Sequence, residues 1–387
     1  MARNQNHKIK IGITIGDVNG IGPELVVSAF QDQRLKEICV PILYGSSRVI
    51  NIFRKVMGVE KFHYVIIQNP SQAQYRKLNV IECVPDLERI EIGKPSENGG
   101  KAAYLSVKRA VEDAQHQAID ALITMPVDKH SFQKHQEDFS GHTELLAQAF
   151  NVKDNLMFMV ADELRVGLVT NHLPISEVAA KLTVEGIVRK AQIMHKSLKR
   201  DFSIQSPMIA LLGLNPHAGD QGLIGGEDKE IIAKAVTILK KDKGIKAFGP
   251  YPADGFFGSL TYRRFDGVLA MYHDQGLIPF KLLAGYSGVN FTAGIPVVRT
   301  SPDHGVAYDI AGKGKASAES LRECIYLTLD VFRNRKMNLD LEANALPPSE
   351  YKPSRHRPKT PPPPVAPPPE EGEEMMLDER EDPADKV

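Results

Sequence analysis

Short apolar runs alternate with longer amphipathic stretches along the first 345 residues. Ile9–Ile15 reads as a strand, and Gly22–Phe30 as a helix opened by Pro23, whose missing N–H has no partner to lose in a first turn. Val40–Tyr44 reads as a second strand. Over 99–117, Ala102, Ala103, Val107, Ala110, Val111 and Ala114 recur on one face at helical spacing. Further strands are predicted at 118–124, 165–170, 208–214 and 267–271, each followed by Gly, Pro or Asn and then a helical pattern. Continuously apolar strands alternating with helices predict an α/β fold with a mainly parallel sheet covered on both faces. No fixed repeat period is evident.

From Pro347 onward the pattern stops. Prolines crowd at 361–364 and 367–369, an acidic stretch follows, and no aromatic residue occurs after Tyr351. Such a segment buries too little apolar surface to offset its chain entropy. Residues 346–387 are therefore expected to be a disordered tail of polyproline character.

Composition narrows the function classes. Lys+Arg and Asp+Glu are 48 each, so net charge is zero and no polyanionic partner such as nucleic acid is implied. Cys39, Cys83 and Cys324 are far apart and odd in number, which fits neither a disulfide framework nor a thiolate metal site. The N-terminus has no signal-peptide core, and no run of about 18 apolar residues occurs, so the expectation is a cytoplasmic protein without a membrane span.

Candidate chemistry gathers where strands end. The run ELRVGLVT leads to His172, PMIALLGL to Asn215-Pro216-His217, and GVLAMY to His273-Asp274. In parallel sheets ligands bind outside the carboxyl ends of strands, so three imidazoles there suit zinc, cobalt, nickel, iron or manganese with positions open to substrate. No local metal motif supports the spacing, and lone loop histidines are usually solvated. His63, His116, His135 and His195 lack the strand-end context and read as surface residues.

Ser140-Gly141-His142-Thr143-Glu144 precedes an apolar helical run; Thr143 or Ser140 would cap that helix and leave N–H groups for an anion. Lys281, Asn290 and Arg299 lie in a Gly-rich, weakly helical stretch from Phe280 to Gly305, where Lys and Arg suit carboxylate or phosphate. The loop Gly16–Pro23 has neither dinucleotide-loop nor P-loop spacing.

Together, ITIGDVNGIGPE, GHTELL, LLGLNPHAGDQGLIGGED, GPYPADGFF, LAMYHDQGLIPFK and GVNFTAGIPVVRTSPDHG resemble the 4-hydroxythreonine-4-phosphate dehydrogenases over residues 9 to 320. The resemblance implies an isocitrate/isopropylmalate dehydrogenase-like fold of two α/β/α domains with a cleft and no Rossmann fingerprint. The halves are expected at 1–128 plus 290–345 and at 129–289. It further implies NAD, a divalent metal (zinc, magnesium, manganese or cobalt) on His172, His217 and His273, and a homodimer with an active site shared between subunits. Substrate contacts fall on His142, Thr143, Lys281, Asn290 and Arg299, and Lys281 and Asp254 on catalysis.

The implied reaction oxidises 4-phosphooxy-L-threonine at C3, followed by decarboxylation to 3-amino-2-oxopropyl phosphate, a step toward pyridoxal 5′-phosphate. Sister enzymes act on 4-phosphorylated threonate or erythronate. A metal-dependent hydrolase, with Asp274 or Asp128 as base, and a scaffold acting through its Pro-rich tail are the competing classes. The first loop, MPVDKHSF and GLIGGED depart from the common family forms, without removing a proposed ligand.

Overall fold

The apolar run at Ile11–Ile15 becomes an inner strand of one twelve-stranded sheet in the computed structural model, which describes residues 8–345 except Pro85, Asp86, Glu88 and Ser140. The strands are β1 (Lys10–Thr14), β2 (Val40–Gly45), β3 (Tyr64–Ile67), β4 (Leu78–Glu82), β5 (Ala121–Ile123), β6 (Leu156–Ala161), β7 (Leu164–Leu168), β8 (Met208–Leu212), β9 (Lys246–Tyr251), β10 (Gly267–Ala270), β11 (Val289–Ala293) and β12 (Val298–Pro302). Their order is β3-β4-β2-β1-β5-β12-β11-β6-β7-β10-β8-β9. Pairing is parallel except at β12–β11, β11–β6 and β6–β7.

Alternation of side chains across a strand explains the continuous apolar runs. In β6, Leu156, Phe158 and Val160 pack against the Val184–Arg200 helix, while Met157, Met159 and Ala161 face the opposite way, with Leu277 and Phe280. In β2, Leu43 joins the core beneath the Gly22–Phe30 helix, and Ile42 and Tyr44 join that beneath the Glu97–Gln115 helix. Both faces of the inner strands are covered, so most of their residues are apolar, each fully buried large one contributing about 1.5–3 kcal/mol.

The helix predicted at 99–117 runs from Glu97 to Gln115, because the Ser96 hydroxyl accepts from the Gly99 N–H at 3.1 Å and starts it two residues earlier. The region taken as weakly helical is corrected. The helix covers only His273–Ala284 and ends at Gly285, which has φ 56°. Beyond it lie β11 and β12, joined by a turn at Gly294 with φ 93°, a conformation that glycine adopts without a Cβ penalty.

Cys39 and Cys324 are buried and Cys83 half-buried, all as free thiols. No helix among the described residues is long and apolar enough to cross a membrane. The tail expected at 346–387 lies outside the described residues.

Candidate active site

The carboxyl end of β5 delivers Thr124 beside β12, which carries Arg299. Arg299 sits in the sheet interior, 2% exposed. Its Nε and Nη2 donate to the Thr124 hydroxyl at 3.0 and 2.6 Å, and its Nη1 donates to the Thr292 hydroxyl at 3.1 Å. Hydroxyls orient a guanidinium but do not neutralise it, and among the described residues no carboxylate forms an ion pair with Arg299. Burial lowers its pKa to about 10, so it remains a cation at neutral pH. A buried charge without a counter-ion is costly, and an anionic ligand would relieve that cost.

Arg299 lines a cavity of about 200 Å³ together with Thr124, Lys129, His142, Thr143, His172, Asn290 and His304, and with the carboxylate of Glu144, which is not within ion-pair distance of Arg299. Five of the residues selected from sequence thus meet in one place: His142, Thr143, His172, Asn290 and Arg299. Buried and without hydrogen-bond partners are His142 Nε2, Asn290 Oδ1 and, next to His172, Asn171 Oδ1. Native interiors satisfy nearly all such atoms, so orphans beside a cavity mark places for ligand atoms. Burial, then Arg299 and Lys129, holds the His142 pKa down to about 3, so this imidazole is neutral.

His142 opens the His142–Ala149 helix, whose N-cap is Gly141 without a side-chain cap. The expected cap by Thr143 is not formed, because Thr143 lies within the first turn; Ser140 lies outside the described residues. The uncapped end beside the cavity adds N–H donors and a positive helix terminus to the cationic surroundings of Arg299.

The three metal candidates follow β7, β10 and β8, which are adjacent and mutually parallel, so they leave the sheet at one edge. The rings of His172 and His273 lie 5.9 Å apart between centroids. His273 Nδ1 sits 2.7 Å from Asp274 Oδ1, which leaves Nε2 for a ligand. Burial, then Lys129, lowers the His172 pKa and keeps it neutral, as a metal ligand must be. His217 lies in a left-handed segment, φ 54°. Among the described residues no group of three or more His, Cys, Asp or Glu side chains is set to hold an ion.

Lys281 does not line the cavity. Its Nζ lies 3.4 Å from Asp303 Oδ1 and donates to the Asp303 carbonyl at 3.2 Å, next to the lining residues Pro302 and His304. Asp254 is exposed on the short Ala253–Gly258 helix after β9 and also stands outside the cavity. Of the histidines read as surface residues, His63 and His116 are exposed, and His135 and His195 half-buried.

Sequence reasoning missed Asp228. It is 1% exposed, and accepts from the Leu214 and Asn215 N–H groups at 2.7 and 3.1 Å, fixing the loop that carries His217. It also missed Gln275, whose side chain accepts from the Met271 N–H at 2.7 Å and donates to the Gly213 carbonyl, tying the His273 and His217 loops together. Thr124 and His304 were missed as lining residues, and Lys129, at the strand end after Ala121–Ile123, had no role assigned to it.

The family model described as pyridoxal phosphate biosynthetic protein PdxA matches residues 37–328. A 4-hydroxythreonine-4-phosphate dehydrogenase of Bacteroides thetaiotaomicron is 48% identical over 343 residues, covering 88% of this chain and 94% of that protein. A D-threonate 4-phosphate dehydrogenase of Cupriavidus necator is 39% identical, covering 81% of this chain and 95% of that protein. The crystal structure of a 4-hydroxythreonine-4-phosphate dehydrogenase from Klebsiella pneumoniae superposes with a TM-score of 0.75 at 33% identity, covering 85% of this chain and 99% of that one. With three-quarters of its length inside the family model and its mixed α/β sheet shared with solved members, the chain belongs to the pyridoxal phosphate biosynthetic protein PdxA family, a family of dehydrogenases.

Proposed function

We propose that the chain oxidises the C3 hydroxyl of 4-phosphooxy-L-threonine with NAD, and that the β-keto acid so formed loses carbon dioxide to give 3-amino-2-oxopropyl phosphate. The observation that carries this reading is Arg299: a buried guanidinium with no ion-paired carboxylate among the described residues, facing a cavity that Glu144 also lines and whose remaining orphans are a neutral imidazole nitrogen and an amide oxygen. A small substrate bearing phosphate or carboxylate supplies the missing negative charge, and its hydroxyl or amine supplies the hydrogen that Asn290 Oδ1 lacks.

The donor set fits a divalent metal. Two imidazoles sharing one cation at about 2.1 Å from each nitrogen have ring centres about 5–6 Å apart, the spacing found for His172 and His273. We take His172, His217 and His273 as the residues that would hold it, all three following adjacent parallel strands. When bound, a divalent cation would supply Lewis-acid polarisation of a substrate oxygen.

The chain's own groups do the rest. Arg299 and the uncapped His142–Ala149 helix hold the anionic end, and Asn290 orients the polar end, so that C3 is presented in one pose. Neutral His142 accepts or donates a hydrogen bond without adding charge. Lys281, kept beside half-buried Asp303, is the candidate to hold and return a proton, with Asp254 as the second acid–base candidate. Neither lines the cavity within one chain, which fits a site completed by a second copy. We take residues 1–128 with 290–345 and residues 129–289 as the two halves whose strand ends frame the site.

A second reading, oxidation of a 4-phosphorylated threonate, is favoured by the Cupriavidus necator relative. The test is NADH formation by metal-loaded protein on phosphothreonine, phosphothreonate and phosphoerythronate in parallel. The highest kcat/KM with phosphothreonine is expected. A preference for phosphothreonate would select the second reading, and no NADH from any of the three would overturn both.

A further inference from the structure

A second, larger cavity of about 750 Å³ opens at the opposite edge of the sheet. The catalytic cavity takes Thr124 from the carboxyl end of β5, and Ser301 and Pro302 from that of β12. The second takes Ile119 and Asp120, which lead into β5, and Val297 and Val298, where β12 starts. Its outer wall is the last helix, Glu319–Ala343. Adjacent residues of one strand, Val298 and Arg299, therefore line the two cavities.

The walls are apolar, with Phe150 and Phe332 among them, but among the described residues four cationic side chains line the space, Lys8, Arg333, Arg335 and Lys336, beside one carboxylate, Asp120. Arg335 is the built element. It is 8% exposed, its Nε donates to Asp201 Oδ1 at 2.7 Å and its Nη1 to the Pro296 carbonyl at 2.9 Å, while its Nη2 is buried without a partner. Asp201 does not cancel the charge here, because Arg200 Nε also donates to it at 2.8 Å. Two guanidinium groups thus share one carboxylate, and Arg335, a residue that lines this largely apolar cavity, keeps a buried donor without a partner just behind the wall.

We propose that this cavity is a second binding site, for a small amphipathic organic anion: a carboxylate, sulfonate or phosphate head on an apolar body. The head pairs with Arg335 Nη2 and the rim cations Arg333 and Lys336, and the body covers Phe150 and Phe332. The site stands apart from the catalytic cavity and from the reaction proposed for it.

The test uses the full chain and 8-anilinonaphthalene-1-sulfonate as a fluorescent probe, with octanoate and octylammonium as competitors of equal body and opposite charge. Arg335 also holds Asp201, so its replacement endangers the fold. The variants are therefore at the exposed rim: Arg333→Glu with Lys336→Glu, and Leu339→Glu, each checked for unchanged NADH turnover. Saturable binding of one probe per chain is expected, displaced by octanoate but not by octylammonium, and weakened about tenfold or more in the double variant. Absence of saturable binding, equal affinity in the double variant, displacement by octylammonium, or displacement by phosphothreonine would each overturn the proposal.

Discussion

Arg299 gives two N–H groups to a single acceptor, the hydroxyl of Thr124, at 3.0 and 2.6 Å. The bond crosses from β12 to the end of β5, so the guanidinium plane is set by the sheet itself. Its positive charge is left for whatever enters the cavity. Stability alone would favour an apolar residue at this depth, since replacing a buried charge by a well-packed apolar side chain is often neutral or stabilising.

That relationship makes Arg299→Met and Arg299→Lys informative together. Arg299→Met should raise KM for the phosphorylated substrate by about 10- to 100-fold, the weight of one or two charge-assisted hydrogen bonds. Arg299→Lys should recover only part of this, because a point charge cannot hold Thr124 and Thr292 and a ligand at once. Thermal unfolding of Arg299→Met should be no earlier than that of the parent. Steady-state kinetics and calorimetry read both, and an unchanged KM in Arg299→Met would remove the residue from substrate binding.

His217 separates the metal assignment from the geometry found. The His172 and His273 ring centres lie 5.9 Å apart with their planes tilted by 40°, while His217 stands on a left-handed loop fixed by Asp228. If all three are ligands, His172→Ala, His217→Ala and His273→Ala should each lower divalent-metal affinity by at least the roughly 10- to 100-fold typical of losing an outer-shell partner. Metal content after dialysis, measured by atomic emission, checks this. Full retention in His217→Ala beside loss in the other two would leave a two-histidine site.

The strands and helices with one strong period were legible from sequence. The Gly22–Phe30 helix has the predicted bounds, and the strands ending before His172, His217 and His273 lie where their apolar runs placed them. The residue pattern gave His142 and the pair Asn290 and Arg299 as separate clusters, and only the family resemblance implied that they share the one cavity they line. What escaped were features set by tertiary context. The segment holding β11 and β12 looks irregular because Gly288, Gly294 and Pro296 flank these short strands, yet they pair antiparallel in the middle of the sheet. Asp228 and Gln275 shape the site by accepting and donating to backbone groups far away in sequence, and no local pattern announces such bonds.

Asp201 ties the Val184–Arg200 helix to the last helix. Burial penalises its charge, but Arg335 and Arg200 more than offset this and hold the carboxyl below the ordinary range. A depressed folded-state pKa means that this stabilisation is present above the unfolded carboxylate value of about 3.9 and is lost as pH falls through the folded value. Asp201→Asn should cost about 3–5 kcal/mol at neutral pH, because Arg335 is left buried and unpaired. Denaturant titrations at neutral and acid pH should show the difference between parent and variant shrinking in acid. A difference that stays constant would detach Asp201 from the acid sensitivity.

His142 gives a second acid-sensitive element, at the cavity rather than at a helix junction. Burial, then Arg299 and Lys129, lowers its pKa to about 3, against about 6.5 in the unfolded chain. Between those values the unfolded chain binds the proton and the folded one does not, so stability rises with pH across that window and falls on acidification. Replacement by Gln keeps a polar side chain that does not titrate. His142→Gln should therefore flatten the loss of stability from about pH 6.5 downward, while the neutral-pH rate profile keeps its shape, because a group neutral in that range contributes no inflection. Denaturation midpoints down to about pH 4 supply the first readout and kcat against pH the second. An inflection near neutrality that disappears in His142→Gln would show that His142 titrates during turnover and carries a proton in the reaction.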